Sequence, residues 1–339
     1  MPRLRKRLLT EEWVLIAPER TGRPRRLGLV DAPAAEGDCP FCLSNPGHTP
    51  DPVAEFSSPD FPDSPWAIRA LPNKFPALLP PGASLTSPDR SSPFEQPALG
   101  YHEVLVESPD HHVTWTELSE DHLTSVLRAW QCRVSDLQVR DEVASIQLFK
   151  NQGPRAGASL PHVHSQIAAL PLIPARHLDE VRHFRAYREE TGRCALCDLI
   201  ADTESPRQVL AADHAAALTP FASRAPFETW IVPTSHDGSL ADASLSTLRD
   251  TAALALEILR RWHALLGPVD YNLLLHTVPF AFIDEPYYHW HLEMLPRTGQ
   301  IAGFELGSGM TINPVASETA AELLRESNHQ RKASWISPS

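Results

Sequence analysis

The sequence predicts an α+β fold made of two copies of one unit. Three observations carry that expectation. A strand-like run into a turn histidine, a long helical run, a second strand and a His-x-His pair occur in that order twice. The copies keep their spacing: His236 follows His111 by 125 residues, and His289 follows His162 by 127. Each copy is preceded by one Cys-x-x-Cys turn, Cys39-Pro-Phe-Cys42 or Cys194-Ala-Leu-Cys197. A length of 339 residues suits two units at roughly 100–200 residues each. The halves are expected to span 1–175 and 176–339.

The first strand of each copy is Tyr101-His-Glu-Val-Leu-Val or Phe227-Glu-Thr-Trp-Ile-Val, with a glutamate (Glu103, Glu228) eight residues before the turn histidine. Helices are expected near residues 118–139 and 245–266, where Leu and Ala recur at helical spacing. Cys132 falls inside the first of these and reads as a small core residue. Strands follow at 146–151 and 271–276, then His162-Val-His164-Ser-Gln166 and His289-Trp-His291-Leu-Glu293. In a strand, residues two apart share a face, so His162 and His164 are expected to point the same way. Residues 33–38, 57–65 and 79–97, rich in Pro and Ser, read as loops. The tail after Arg325 either frays or docks.

Composition bounds the function. Hydrophobic residues make up 42% and charged residues 21%, ordinary for a chain that buries a core. There is no apolar run of about 18 residues, so no transmembrane helix is expected. The basic start, Met1 to Leu9, lacks an apolar segment before a cleavage site, so a cytoplasmic protein without a signal peptide is expected. A net charge of −12 excludes broad nucleic-acid binding but leaves room for one nucleotide in a local basic pocket. The run Arg3 to Arg7 is either a solvated face or lies near phosphates.

Four of the five cysteines sit in the two Cys-x-x-Cys pairs, within a chain of 16 histidines. Such a pair serves as a redox dithiol or as half of a zinc site. Zinc is favoured, because neither pair has a thioredoxin-like context and each copy supplies two histidines to complete a tetrahedron. The expected sets are Cys39, Cys42, His111, His162 and Cys194, Cys197, His236, His289, with two Zn²⁺ per chain. The richest stretch is Asn151-Gln-Gly-Pro-Arg-Ala-Gly-Ala-Ser159-Leu-Pro-His162-Val-His164-Ser-Gln166. Gly153 and Gly157 permit a tight turn whose N–H groups could bind anionic oxygens. His164, partly neutral at pH 7, suits attack on phosphorus, and Gln166 shares its face. The second copy lacks the Gly/Ser loop and ends in Glu293, so it reads as a degenerate copy with a metal role; His291 is either near substrate or structural.

These motifs resemble one family. R-K-x-x-x-T-x-E-W-V-x-I-A-P-E-R-x-x-R-P (Arg5 to Pro24), C-P-F-C, N-K-F-P-A-L (Asn73 to Leu78), S-P-D-H (Ser108 to His111) and N-x-G-x-x-x-G-x-S-x-P-H-x-H-x-Q are similar to those of galactose-1-phosphate uridylyltransferases. These form a branch of the histidine-triad superfamily, and their chain is a duplicated histidine-triad fold of antiparallel sheet and crossing helices. The resemblance implies a ping-pong nucleotidyltransferase in which His164 takes a nucleoside monophosphate from a nucleotide sugar and passes it to a second sugar 1-phosphate. Gln166 would stabilise the adduct. Ser159, Asn151, Gly157, Asn73, Phe75, Arg20 and Arg23 would contact phosphates, ribose or base, and Glu305 the hexose. It also implies a homodimer.

Two departures point within the family. Leloir-pathway enzymes use a glutamate and three histidines at the second metal site, whereas Cys194 and Cys197 match the plant-type branch of ADP-glucose phosphorylases. Thr311 also stands where the Leloir enzymes carry a hexose-binding glutamine. The leading expectation is a UDP-glucose–hexose-1-phosphate uridylyltransferase. The alternatives are an ADP-glucose phosphorylase-like enzyme taking inorganic phosphate as acceptor, and a catalytically silent zinc-stabilised nucleotide-binding protein.

Overall fold

A computed structural model describes residues 3–8, 10, 13–16, 39–45, 47–82, 98–112 and 114–327. Near the N-terminus β1 (Arg3–Lys6) and β2 (Trp13–Ile16) pair antiparallel. The rest of the chain builds a ten-stranded sheet with every pairing antiparallel. One flank holds, in spatial order, β3 (Ala54–Phe56), β4 (Ile68–Pro72), β5 (Tyr101–Val106), β7 (His164–Leu170) and β6 (Ser145–Gln152). The other continues with β11 (Tyr271–His276), β12 (His291–Pro296), β10 (Thr229–Pro233), β9 (Ala215–Leu218) and β8 (Gln208–Ala211). The flanks meet where β6 pairs with β11, Asn151 opposite Asn272. β13 (Thr311–Asn313) returns to pair in parallel with β2.

Two long helices cover one face. The Ser119 hydroxyl accepts from the His122 N–H (3.0 Å) and starts α1 (Glu120–Gln138); Ser244 does the same for Thr247 (3.1 Å) and starts α4 (Leu245–Leu266). Their apolar stripes, Leu127, Trp130 and Val134 on α1 and Ala252, Leu259 and Trp262 on α4, belong to one core with Leu105, Ile167, Leu273 and Met294 from the sheet. Burying each large side chain contributes about 1.5–3 kcal/mol, and Trp262→Ala would cost about 3–5. On the opposite face α2 (Ala175–Thr191) and α3 (Ala195–Ala201) pack on the second flank, with Val181, Phe184 and Leu196 against Trp230, Val232 and Tyr288, and α2 reaches the seam where His177 bonds Gln147 of β6 (3.0 Å). α5 (Gly303–Ser308) and α6 (Ser317–Glu326) complete the chain.

Several expectations need correction. Cys132 is exposed, on the solvent side of α1. Two residues of the basic run, Arg5 and Arg7, are neither solvated nor free for phosphates. Arg5 bonds Glu318 (3.0 Å), and Arg7 bonds Glu228 (3.1 Å) and Glu293 (3.3 Å), with both arginines buried. Burial without these carboxylates would strand two charges, so Arg5 ties the N-terminal segment to α6 and Arg7 ties it to the second flank. Glu103 and Glu228, alike in sequence spacing, lie on opposite faces. Glu103 turns to Arg133 of α1 (2.8 Å), whereas Glu228 shares the face of Glu293. Residues 57–65 form a loop as expected, whereas 33–38, 83–97 and the tail from 328 lie outside the described residues. Among the described residues no helix is long and apolar enough to cross a membrane.

Candidate active site and metal centres

Both His-x-His pairs sit on the sheet face opposite α1 and α4. In each, the strand begins at the second histidine, not the first. The β5–β7 ladder ends at Val106 and His164, and Pro161 just upstream has no N–H to extend it. His162 is thereby left in a bend and reaches the cysteine turn. Its Nδ1 lies 3.5 Å from Cys39 Sγ and 3.6 Å from Cys42 Sγ, while His111 Nδ1 lies 3.3 Å from Cys42 Sγ. In the second copy His289 Nδ1 is 3.5 Å from both Cys194 and Cys197, and His236 Nδ1 is 3.4 Å from Cys197. A tetrahedral zinc with bonds of about 2.3 Å to sulfur and about 2.0–2.1 Å to nitrogen has S···N edges of about 3.6 Å. The four donor atoms of each set lie within 4.8 Å of one another. The structure therefore gathers two Cys₂His₂ clusters of the size a zinc ion fits.

The histidine tautomers agree with that donor set. His162 Nε2–H donates to the Ser108 carbonyl (2.9 Å) and His236 Nε2–H to the Pro286 carbonyl (3.1 Å), so each Nδ1 lone pair faces the sulfurs. Burial pushes His162 down to about 4, which keeps its ring neutral.

His164 stands next to the first cluster. Its Nδ1–H donates to the His162 carbonyl (2.7 Å), which leaves Nε2 as the basic nitrogen. Burial, and then the charge of Lys150, holds it below the usual imidazole range. Lys150, fully buried beneath, donates to the His164 carbonyl (3.0 Å) and to Glu107 (2.6 Å), and Glu107 also accepts from Trp115 Nε1–H (2.7 Å). Sequence reading missed Lys150 and Glu107. Their only signal was a charge placed among apolar strand residues.

Gln166 follows on the same face, opposite Val104 of β5 and Phe149 of β6. Its Oε1 accepts from His102 Nε2–H (3.0 Å) and lies 3.5 Å from Asn73 Nδ2. Phe75, 82% exposed, is held by its N–H to Asn73 Oδ1 (2.9 Å). Asn73, Phe75, His164 and Gln166 are thus brought to one neighbourhood.

The Gly-rich turn differs from its expected role. Ala156 and Ala158 N–H both donate to the Gly153 carbonyl (3.1 Å), Gly157 N–H to Pro154 (3.1 Å) and Arg155 N–H to Asp270 (2.7 Å). These four N–H groups are thus taken within the protein, while Ser159 just beyond them is exposed. The second flank braces the turn. Gly153 adopts φ +80°, where a Cβ would sit 2.1 Å from Asp270, and Asn272 Nδ2 donates to Asn151 Oδ1 (2.7 Å) and Ala156 O (2.9 Å). Glu305 instead accepts from Ala302 N–H (3.1 Å) within its own turn and bonds no residue around His164 among those described. Arg20 and Arg23 lie outside the described residues.

The second pair is enclosed. His291 stacks on His276 at 4.4 Å between centroids and 9° between planes. His276 Nδ1 lies 3.0 Å from Glu180 of α2, and its Nε2 lies 2.9 Å from Glu293. Burial opposes the charge on His276, but the two carboxylates outweigh it and raise it to about 9. Burial, and then that charge, pushes His291 down to about 3.

Residues 1–174 match the family model described as galactose-1-phosphate uridyl transferase, N-terminal domain. The chain belongs to the galactose-1-phosphate uridylyltransferase family. Within the family it is 32% identical over 333 residues to an ADP-glucose phosphorylase of Arabidopsis thaliana, covering 96% of this chain and 93% of that one. A galactose-1-phosphate uridylyltransferase of Thermotoga maritima is 27% identical, covering 96% and 98%. The crystal structure of the Arabidopsis thaliana ADP-glucose phosphorylase with bound ADP-glucose superposes with a TM-score of 0.83 at 31% identity, covering 97% and 99%. A uridylyltransferase structure gives 0.73 at 26% identity, covering 96% and 97%.

Proposed function

We propose that the chain is a hexose-1-phosphate nucleotidyltransferase that works through a covalent nucleotidyl group on His164. The observation that carries this reading is the His164 hydrogen bond. With Nδ1–H held by the His162 carbonyl at 2.7 Å, the Nε2 lone pair is the one presented for reaction. Nε2 attacks the phosphorus that carries the nucleoside. An N–P bond forms, and the phosphoanhydride bond breaks with its electron pair leaving on the sugar 1-phosphate. The adduct is an imidazolium whose Nδ1–H the same carbonyl stabilises. A phosphate oxygen of the acceptor then attacks phosphorus, and the N–P electron pair returns to Nε2. Gln166 would hold the phosphoryl oxygens, and Ser159 and Asn151 the phosphates nearby.

Residues Cys39, Cys42, His111, His162 and Cys194, Cys197, His236, His289 would each hold one Zn²⁺. When bound, zinc fixes the bend at His162 and with it the carbonyl that orients His164. We read 1–175 and 176–339 as the two copies of the duplicated unit, and the protein as a cytoplasmic homodimer.

Two donor–acceptor pairs compete. ADP-glucose with inorganic phosphate has the stronger support in the 32% identity, the TM-score of 0.83 and the second Cys₂His₂ cluster. UDP-glucose with galactose 1-phosphate is supported by the family model and the Thermotoga maritima relative. Incubation with each pair separates them: turnover of ADP-glucose with phosphate alone is expected, and turnover of only the uridylyl pair would reverse the choice. Intact-mass analysis should show an adduct of one nucleoside monophosphate, and its absence with both donors would sink the transferase reading. Elemental analysis should give two zinc ions per chain.

A further inference from the structure

We propose that His102 is a positioning residue for the reaction: it fixes which end of the Gln166 carboxamide faces the nucleotidyl group on His164. The inference rests on the functional reading above and adds a residue to it.

Gln166 lies opposite Val104 and Ala168 opposite His102, so His102 and Gln166 are diagonal neighbours on the face that carries His164. His102 Nδ1 accepts a hydrogen bond from the backbone N–H of Ala77 (3.0 Å). A neutral imidazole has one N–H, which must then be on Nε2. That nitrogen lies 3.0 Å from Gln166 Oε1, so the imidazole donates and the amide oxygen accepts. Asn73 lies beside the pair, with its Nδ2 3.3 Å from His102 Nε2, so the tautomer rests on the Ala77 N–H. Asn73 Oδ1 is taken by the Phe75 N–H (2.9 Å), so the group nearest Gln166 Oε1, at 3.5 Å, is its donor Nδ2.

The oxygen end of Gln166 is therefore held toward the His102 end of β5. That leaves the NH₂ end for the side of the ladder where Val106 and His164 pair. Among the described residues no acceptor is bonded to Gln166 Nε2. Those two N–H groups are the donors a phosphoryl oxygen on His164 would use. Without His102 the amide could rotate by half a turn and present its oxygen to the anion instead. The second flank shows what the diagonal becomes when no such donor is kept: Trp230 lies opposite Glu293, which puts Glu228 where His102 stands and Glu293 where Gln166 stands.

The test uses the full-length zinc-loaded protein and the rate of adduct formation on His164, followed by quench and intact mass with ADP-glucose and with UDP-glucose. His102→Ala is expected to slow the step about 10–100-fold, with half-saturation changed by less than about twofold. His102→Gln should recover most of the rate, because its amide N–H reaches the place of Nε2–H. In a Gln166→Ala background, His102→Ala should add nothing. Nitrogen-15 NMR of the imidazole should show the Nε2-protonated tautomer.

A full additional loss in the Gln166→Ala background, an Nδ1-protonated ring, or an unchanged rate in His102→Ala would each overturn the inference while leaving the functional reading standing. No adduct in the wild-type protein would instead overturn the functional reading, and the inference with it. If His102→Ala does not fold, the His102→Gln rate and the tautomer still decide.

Discussion

The two His-x-His sites occupy matching places on one sheet and have opposite electrostatic designs. At the first, position 166 is a neutral amide whose donor end bonds no acceptor among the described residues, and the adjacent histidine is held toward its neutral form. At the second, position 293 is a carboxylate surrounded by Arg7, Arg224 and His276, and α2 supplies Glu180 over the top. Burial opposes the charge on Glu293, but Arg224, His276 and Arg7 outweigh it and hold the carboxyl well below the usual range. Burial holds Glu228 above its usual range despite Arg7 and Arg224. One register and one pair of histidines thus support either a neutral amide beside a neutral imidazole or a self-neutralised charged core. The difference lies in the residue two beyond the histidine and in whether a helix covers the face.

The sharpest break of that comparison is to remove the second histidine from each site. His164→Ala should abolish the adduct and lower turnover by at least about 10⁴-fold, as loss of a covalent nucleophile does. His291→Ala should stay within about tenfold in kcat/KM and lose thermal stability, since its ring packs on His276 and Trp230 and its Nδ1 bonds the His289 carbonyl. Equal losses in the two variants would show that the second site takes part in the reaction.

Next in size is the charge cluster itself. Arg7→Met leaves Glu228 and Glu293 short of a buried partner and is expected to cost about 3–5 kcal/mol in denaturant unfolding. The adduct should still form at 25 °C. A loss below about 1 kcal/mol would mean that the arginine is not the tie between the N-terminal strand and the second flank. The same cluster should also respond to pH. His276 is raised to about 9 in the fold, against about 6.5 unfolded, so its contribution is full below about pH 6.5 and is lost as pH rises through about 9. Wild-type protein should lose on the order of 3 kcal/mol over that window relative to His276→Gln. Parallel stability curves for the two proteins would remove the imidazolium from the account.

Much of this contrast was legible in the sequence, because metal ligands and nucleophiles are restricted to a few residue types at fixed spacings. Both Cys₂His₂ clusters, the placement of Gln166 on the face of His164, and the helix at Leu245–Leu266 follow from local pattern. What escaped was set by tertiary register. Glu103 and Glu228 share a spacing to their histidines yet face opposite sides, because a one-residue shift in a strand turns every side chain over. Arg7 reads as surface until the carboxylates that pair with it, more than 200 residues away, are known. Cys132 sits within an apolar helical run, but the packed stripe of α1 passes through Trp130 and Val134 on either side of it. His102 has no motif at all; its importance depends on Ala77 and Gln166, which only the fold brings to it.

The smallest expected effect tests whether the flanks cooperate. Asn272 belongs to the second flank but donates to Asn151 and Ala156 of the Gly-rich turn. Each such bond contributes about 0.5–1.5 kcal/mol net, so Asn272→Ala should lower stability by no more than about 3 kcal/mol. Its effect on catalysis should be separate in kind. If the turn sets Asn151 and Ser159 beside the transferring phosphate, loosening it misplaces both, and kcat/KM should fall about tenfold, equivalent to about 1.4 kcal/mol. Zinc content should stay at the wild-type value, since neither cluster touches the turn. Unchanged kcat/KM alongside the stability loss would reduce the second flank to a support, and the cooperation between the two copies would then be mechanical rather than catalytic.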